Sequence, residues 1–233
     1  MTFLRSALFM AWFVVLTLIM GILFLPLLVG PRKTAAWMAR LWARASLWGL
    51  KFFCGTGMRV MGAVPHGGVL VASKHMSMWD TLALYIVLDD PAIVLKRGLL
   101  YIPFYGWYLW KATAIAIDRS AGADALRHMA RRASAVLAEG RPILIFPEGT
   151  RKKPGAVPDY KPGVAGLYGI FKVACVPVAL DSGCYWQGFT KLPGTISLEF
   201  LEPIPPGLRR GAFMPLLQGR IETATDVLLK SRP

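Results

Sequence analysis

His75 and Asp80 stand five positions apart in the stretch SKHMSMWDT, residues 73–81. A histidine held by a carboxylate can take a proton, because the carboxylate orients the imidazole and stabilises the imidazolium that forms. The separation is awkward for such a pair. On a regular helix, residues five apart lie about 140° apart around the axis, and on a strand they face opposite sides. His75 and Asp80 can therefore meet only across a bend. A second stretch, ILIFPEGTRKK (143–153), runs from a buried apolar segment into Glu148, Gly149, Thr150 and Arg151. A glycine lets backbone approach a ligand closely, and an arginine can hold a phosphate through paired, charge-assisted hydrogen bonds. A third stretch, VLKRGLLYIPFYGWYLWKATAIAIDRS, carries Lys96 and Arg119 at opposite ends of an aromatic segment broken by proline and glycine.

These residues need a frame. From about Val64 onward, short apolar runs alternate with helical patterns: 68–73, 92–96, 113–118, 142–147, 174–180 and 195–201. The runs are apolar throughout, which predicts strands buried on both faces, in an α/β domain whose mixed sheet is covered by helices. Residues 122–140 carry Leu126, Met129, Val136 and Leu137 near helical spacing and stop at Gly140. The opening pair falls between the run 68–73 and a helix starting in MWDTLALYIVL. Ser77 followed by Asp80 reads as a helix start with Ser77 as the N-cap. His75 then belongs to the loop, and the bend can aim Asp80 back at it. His66 and His128 have no acidic companion at useful spacing and read as structural or surface residues.

The N-terminal part is different. No charged residue occurs from Ser6 to Pro31, and Ala7 to Leu25 is an uninterrupted apolar run. At 1.5 Å per residue that run is about 28 Å long, close to a bilayer core of about 30 Å and longer than a signal-peptide core. It predicts a membrane anchor, either spanning or dipping in and returning as a helical hairpin. The next segment, 34–55, sets Arg40, Arg44 and Lys51 beside a stripe of Trp37, Leu41, Trp48 and Phe52. That is the pattern of an interfacial helix, or of an ordinary helix packed on the domain. The domain division expected is 1–55 for the anchor and 56–233 for the α/β body. Hydrophobic residues make up 55% of the 233, yet Lys+Arg number 27 against 13 Asp+Glu, a net charge of +14; mean hydropathy is +0.48. A chain both apolar and basic suits an anionic membrane surface. No zinc-finger, RNA-recognition or recognition-helix signal accompanies the charge, so nucleic acid is not the expected partner. Cys54, Cys175 and Cys184 have no metal-site or disulfide spacing and fit a reducing compartment. The basic excess after the apolar run places the body on the cytoplasmic face (the inner membrane in a bacterium).

The order and spacing of these stretches resemble the glycerolipid acyltransferases, specifically the 1-acylglycerol-3-phosphate acyltransferases. The resemblance runs from about Val64 to Leu201. It is carried by His75-Met76-Ser77-Met78-Trp79-Asp80, the KRGLLYIPFYGW…IAIDRS block, Phe146-Pro147-Glu148-Gly149-Thr150-Arg151 and VPVAL, with Lys161-Pro162-Gly163 beyond. Met76 stands where phosphate-using members often carry glutamine. The resemblance implies attack by a lysophospholipid hydroxyl on an acyl thioester, with acyl-CoA or acyl carrier protein as co-substrate and with no cofactor or metal. His75 would be the base and Asp80 its orienting acid. Arg151 would clamp the acceptor phosphate in a pocket shaped by Glu148, Gly149 and Thr150, with Arg119 and Lys96 as further phosphate or carrier contacts. Lys152 and Lys153 would supply general attraction. Trp107, Tyr108 and Trp110 would wall an acyl groove or belong to the core. The implied product is phosphatidic acid. A lyso-ornithine lipid or another lysophospholipid stays open as acceptor, and a non-catalytic basic membrane-surface protein on the same fold is the rival of another class.

Overall fold

A computed structural model describes residues 1–102, 105–112, 114–117 and 122–231. Two long helices open the chain, α1 (Thr2–Leu23) and α2 (Arg32–Cys54), joined through a 3-10 turn at Leu25–Leu28. Gly55 ends α2 in the left-handed conformation, φ 71°, which a residue without Cβ adopts at little cost. There follow β1 (Thr56–Met61), β2 (Leu70–Ser73), α3 (Trp79–Val87), β3 (Ala92–Lys96), α4 (Tyr105–Lys111), β4 (Ile115–Ile117), α5 (Gly122–Ala138) and β5 (Ile143–Ile145). The chain then forms α6 (Gly163–Phe171), β6 (Cys175–Leu180), β7 (Trp186–Gln187), β8 (Thr190–Lys191), β9 (Gly194–Phe200) and α7 (Arg210–Lys230).

Seven strands make one sheet in the order β1-β9-β6-β2-β5-β3-β4, with β7 and β8 a separate small hairpin. Every pairing in the large sheet is parallel except β6 with β9. Strand side chains alternate between two apolar layers. Leu70, Ala72, Ile143, Ile145 and Cys175 join Val136, Leu167, Phe213 and Leu217 from α5, α6 and α7. Val71, Leu144, Val176 and Val178 face the other way, onto Phe9, Leu50, Trp79 and Leu84 from α1, α2 and α3.

The N-terminal helices form an antiparallel hairpin. Trp12 Nε1 donates to the Ala45 carbonyl at 3.2 Å, Trp42 Nε1 to Thr17 Oγ1 at 3.0 Å, and Phe24 meets Trp37 edge-on. Gly49 permits the close approach, since a Cβ there would lie 2.3 Å from Trp12. Both ends of α1 are tied to the body. The Lys191 N–H donates to Ser6 Oγ at 2.9 Å and Phe9 is fully buried, while at the far end Tyr108 donates its hydroxyl to the Gly21 carbonyl at 3.2 Å. Near the turn, Arg32 Nη1 pairs with Asp90 at 2.6 Å. The hairpin thus lies along the body instead of projecting from it. Among the described residues, α1 is the one helix long and apolar enough to cross a bilayer. Phe3, Leu4, Leu8, Val15, Ile19 and Ile22 of α1 are exposed, as are Trp37, Leu41, Trp48 and Phe52 of α2.

All six expected strand runs contain strands, and the α5 helix stops before Gly140, φ 70°. Three differences have physical causes. β1 is absent from the expected set because TGMRVM is an edge strand with one buried residue and half of its residues exposed, so it lacks an apolar run. β9 is not buried on both faces; its burial alternates, as the antiparallel joint to β6 near the sheet margin allows. The small β7–β8 pair is too short to leave a period.

Candidate active site

The carboxyl ends of the parallel strands gather the chemistry, as expected of an open α/β sheet. β2 ends at Ser73, and Lys74 still donates its N–H to the Val178 carbonyl at 2.9 Å. The chain then bends through 75–78 into α3, which starts at Trp79 with Met78 before it, one residue later than the expected Ser77 cap. Ser77 still takes part in the turn, because its Oγ accepts the Trp79 N–H at 3.1 Å. The bend folds Asp80 back onto its own loop. Its Oδ2 lies 2.9 Å from His75 Nδ1 and accepts the N–H groups of Met76 and Ser77 at 2.7 and 2.8 Å. Its Oδ1 accepts the Ser182 hydroxyl and lies 3.1 Å from Ser77 Oγ. Asp80 is completely buried and His75 keeps 12% of its side chain exposed. With Oδ2 receiving hydrogen bonds, the geometry assigns the His75 proton to Nδ1 and the free lone pair to Nε2. A substrate hydroxyl reaching Nε2 would find a base whose cationic form is stabilised from behind.

The strand end of β5 supplies the second wall. Phe146 stacks on the His75 ring at 3.9 Å between centroids, fixing the imidazole plane. The Gly149 N–H closes a turn on the Phe146 carbonyl at 2.9 Å, and Gly149 has φ 63°, a conformation that favours glycine. The turn is bound to the histidine loop, since Lys152 donates its N–H to the His75 carbonyl at 2.8 Å. Thr150 and Arg151 are exposed on it. Glu148 points inward; it is 1% exposed, and Lys74 Nζ reaches its Oε1 at 3.1 Å. Lys96 is exposed at the end of β3. Arg119 lies outside the described residues.

An apolar cavity of about 270 Å³ lies between α1, α2, α3 and α4. Thr81 and Leu82, directly after Asp80, line it together with Met20, Met38, Trp42 and Tyr108. The aromatic run therefore divides: Tyr108 is buried on this cavity, whereas Trp107 and Trp110 face outward. Among the described residues no cluster of His, Cys, Asp and Glu is arranged to hold a metal ion. Cys54, Cys175 and Cys184 are buried, and burial pushes the Cys175 thiol up to about 12, away from nucleophilic use.

Sequence reasoning missed Ser182, Lys74 and Glu222, whose Oε1 lies 2.8 Å from Lys74 Nζ, and it named Phe146 only as part of the motif, without its contact to His75. Ser182 is 102 residues from Asp80, and no local period connects them. Lys74 did carry a signal, since it continues the alternation of Leu70 and Ala72 toward the interior.

A family model described as Acyltransferase matches residues 53–181. The chain belongs to the acyltransferase family. The chain is 37% identical over 161 residues to the 1-acyl-sn-glycerol-3-phosphate acyltransferase of Pseudomonas aeruginosa, covering 67% of this chain and 63% of the relative. It is 30% identical over 171 residues to the human 1-acyl-sn-glycerol-3-phosphate acyltransferase alpha, covering 70% of this chain and 60% of that one. It spans less than two thirds of the length of both. The fold matches the crystal structure of the 1-acyl-sn-glycerophosphate (LPA) acyltransferase from Thermotoga maritima, with a TM-score of 0.80 over 100% of this chain and 99% of that one, at 19% identity.

Proposed function

We propose that this acyltransferase moves an acyl chain from acyl-CoA or acyl carrier protein to the sn-2 hydroxyl of 1-acylglycerol 3-phosphate, giving phosphatidic acid. The observation that carries the reading is the His75–Asp80 pair, bent together at 2.9 Å beside the FPEGTR turn. An alcohol is a weak nucleophile at neutral pH. His75 Nε2 takes the hydroxyl proton as the oxygen attacks the thioester carbon, and Asp80 stabilises the imidazolium. Collapse of the tetrahedral intermediate breaks the C–S bond, and the departing thiolate takes the proton back from His75. No acyl-enzyme is required, since the substrate hydroxyl stands where a hydrolase carries serine. Exposed Arg151 holds the acceptor phosphate. Lys96 and Arg119 are further anion contacts, and the net charge of +14 favours acidic donors of either kind. The apolar cavity beside Asp80 suits a hydrocarbon chain. The exposed apolar faces of α1 and α2 rest in one leaflet with the body on the cytoplasmic side. The chain divides by role into an anchor (1–55) and a catalytic body (56–233), and Phe9 and Leu50 of the first pack with the sheet of the second.

The test is turnover by purified protein in detergent or vesicles against a panel of lysophosphatidate, lyso-ornithine lipid and other lysophospholipids, with both donors. Lysophosphatidate is expected as the preferred acceptor, and His75→Ala is expected to lower kcat by about 10²–10⁴-fold, the usual contribution of a positioned base. Preference for a phosphate-free acceptor refutes the substrate, and full activity of His75→Ala refutes the chemistry.

A further inference from the structure

Beneath the active site lies a buried charged group that the transfer step does not use. Lys74 follows β2 directly, and its side chain is only 3% exposed. It continues the inward set of Leu70 and Ala72, so it projects to the α7 side of the sheet while His75 projects to the other. There Nζ reaches Glu148 Oε1 at 3.1 Å and both oxygens of Glu222 at 2.8 and 2.9 Å. Tyr160, on the segment leading from the FPEGTR turn to α6, donates its hydroxyl to Glu222 Oε1 at 2.7 Å. One ammonium therefore joins the residue before His75, the turn bearing Arg151, and the C-terminal helix.

We infer that Lys74, its ammonium held in place by Glu222, is a positioning residue that draws the Glu148 carboxylate inward and so sets the Arg151 turn against His75. The inference rests on the acyl-transfer reading for its kinetic consequence, but the link itself is independent of turnover. Two features of the geometry support it. Glu148 sits three residues before Arg151 in a turn also held by the Lys152 N–H to the His75 carbonyl, so a shift of Glu148 moves both. A carboxylate released from Lys74 would also compete with an anionic substrate for Arg151. Oε2 of Glu148 is buried with no hydrogen-bond partner, so Lys74 is what fixes this side chain among the described residues. α7 takes part although it carries none of the motif residues.

The experiment compares Lys74→Met, Lys74→Arg, Glu222→Gln and the Lys74→Met/Glu222→Gln double variant with the wild type. It reads acceptor KM, donor KM, kcat, thermal midpoint and amide hydrogen exchange over residues 146–153. Lys74→Met is expected to raise acceptor KM by about tenfold or more, the worth of a charged hydrogen bond. Donor KM should stay within about twofold, since the donor does not depend on the Arg151 clamp. Glu222→Gln should act in the same direction with a smaller effect, Lys74→Arg should recover most of the loss, and the double variant should be no worse than Lys74→Met alone. Exchange over 146–153 should speed up in both Lys74→Met and Glu222→Gln. Equal acceptor and donor effects, or a thermal loss with unchanged KM values, reduce the group to a structural one and overturn the inference. Glu222 is partly exposed, so Glu222→Gln and Lys74→Arg decide the matter even where Lys74→Met does not fold. A wild type without lysophosphatidate acylation defeats the function reading alone, because unchanged exchange in the 146–153 turn is then what overturns the positioning role.

Discussion

Replacing Asp80 by asparagine separates its charge from its shape. The amide oxygen can take the place of Oδ2, where it still accepts the N–H groups of Met76 and Ser77 at 2.7 and 2.8 Å and faces His75 Nδ1 at 2.9 Å. The amide nitrogen then occupies the place of Oδ1 and meets the hydroxyls of Ser77 and Ser182, which can rotate to accept from it. The tautomer of His75 and the bend both survive. What disappears is the negative charge behind the imidazolium. Two unit charges about 4 Å apart interact by about 4 kcal/mol at an effective dielectric of about 20. The amide dipole keeps part of this, so a loss of about 3–4 kcal/mol in transition-state stabilisation is expected, or about 10²–10³-fold in kcat. Because the amide fits the same space, stability should fall by only about 1–3 kcal/mol, the cost of weakening charge-assisted hydrogen bonds. The assay is the initial rate of thiol release at saturating thioester and acceptor, paired with a thermal midpoint. A folded Asp80→Asn variant retaining kcat within about tenfold of the wild type would refute an electrostatic role for Asp80.

Ser182→Ala removes the hydroxyl that caps Asp80 Oδ1 and should cost about 1.5–3 kcal/mol in stability with a kcat reduced by less than about tenfold; a kcat loss as large as that of Asp80→Asn would mean that Ser182 touches the reacting atoms. Gly49→Val forces a side chain into Trp12, 2.3 Å from where a Cβ would stand, and should destabilise the hairpin by about 1–3 kcal/mol while weakening vesicle binding. Co-sedimentation with anionic vesicles checks it, and unchanged binding with a lowered thermal midpoint would detach the hairpin's packing from its membrane role. Lys191 is held on the carbonyls of Gly188 and Phe189 among Phe9 and Trp186, and burial pushes its ammonium down to about 8 from 10.5, with Cys54 opposing. The unfolded chain keeps that proton up to about 10.5, so from about pH 8 to 10.5 it binds more protons than the fold does and stability rises with pH; below pH 8 the cost of the buried charge is fully present. The thermal midpoint of Lys191→Met relative to the wild type should therefore fall as pH rises from 7 to 10, and parallel profiles would remove Lys191 from this role.

The strand runs and the α5 helix were legible because each buries a continuous apolar surface, which leaves a local period in the chain. The His75–Asp80 pair was legible for a different reason. A histidine, a helix-starting serine and an acid in its first turn predict a strand-to-helix bend, and all the atoms that close the bend lie within a few residues. FPEGTR announced itself by residue types that a solvated loop has no need to combine. Tertiary packing decided the rest. Ser182 reaches Asp80, and Glu222 reaches Lys74, only because β6 and α7 lie beside β2 in space, at separations of 102 and 148 residues. The apolar N-terminal run showed its length but not its posture. Composition could not show that Ser6, Phe9 and Gly21 find partners on the body, which is what lays the helix along it. The inward turn of Glu148 is of the same kind. Its place in the motif is written in the chain, whereas its direction depends on which side of the sheet holds the buried ammonium of Lys74.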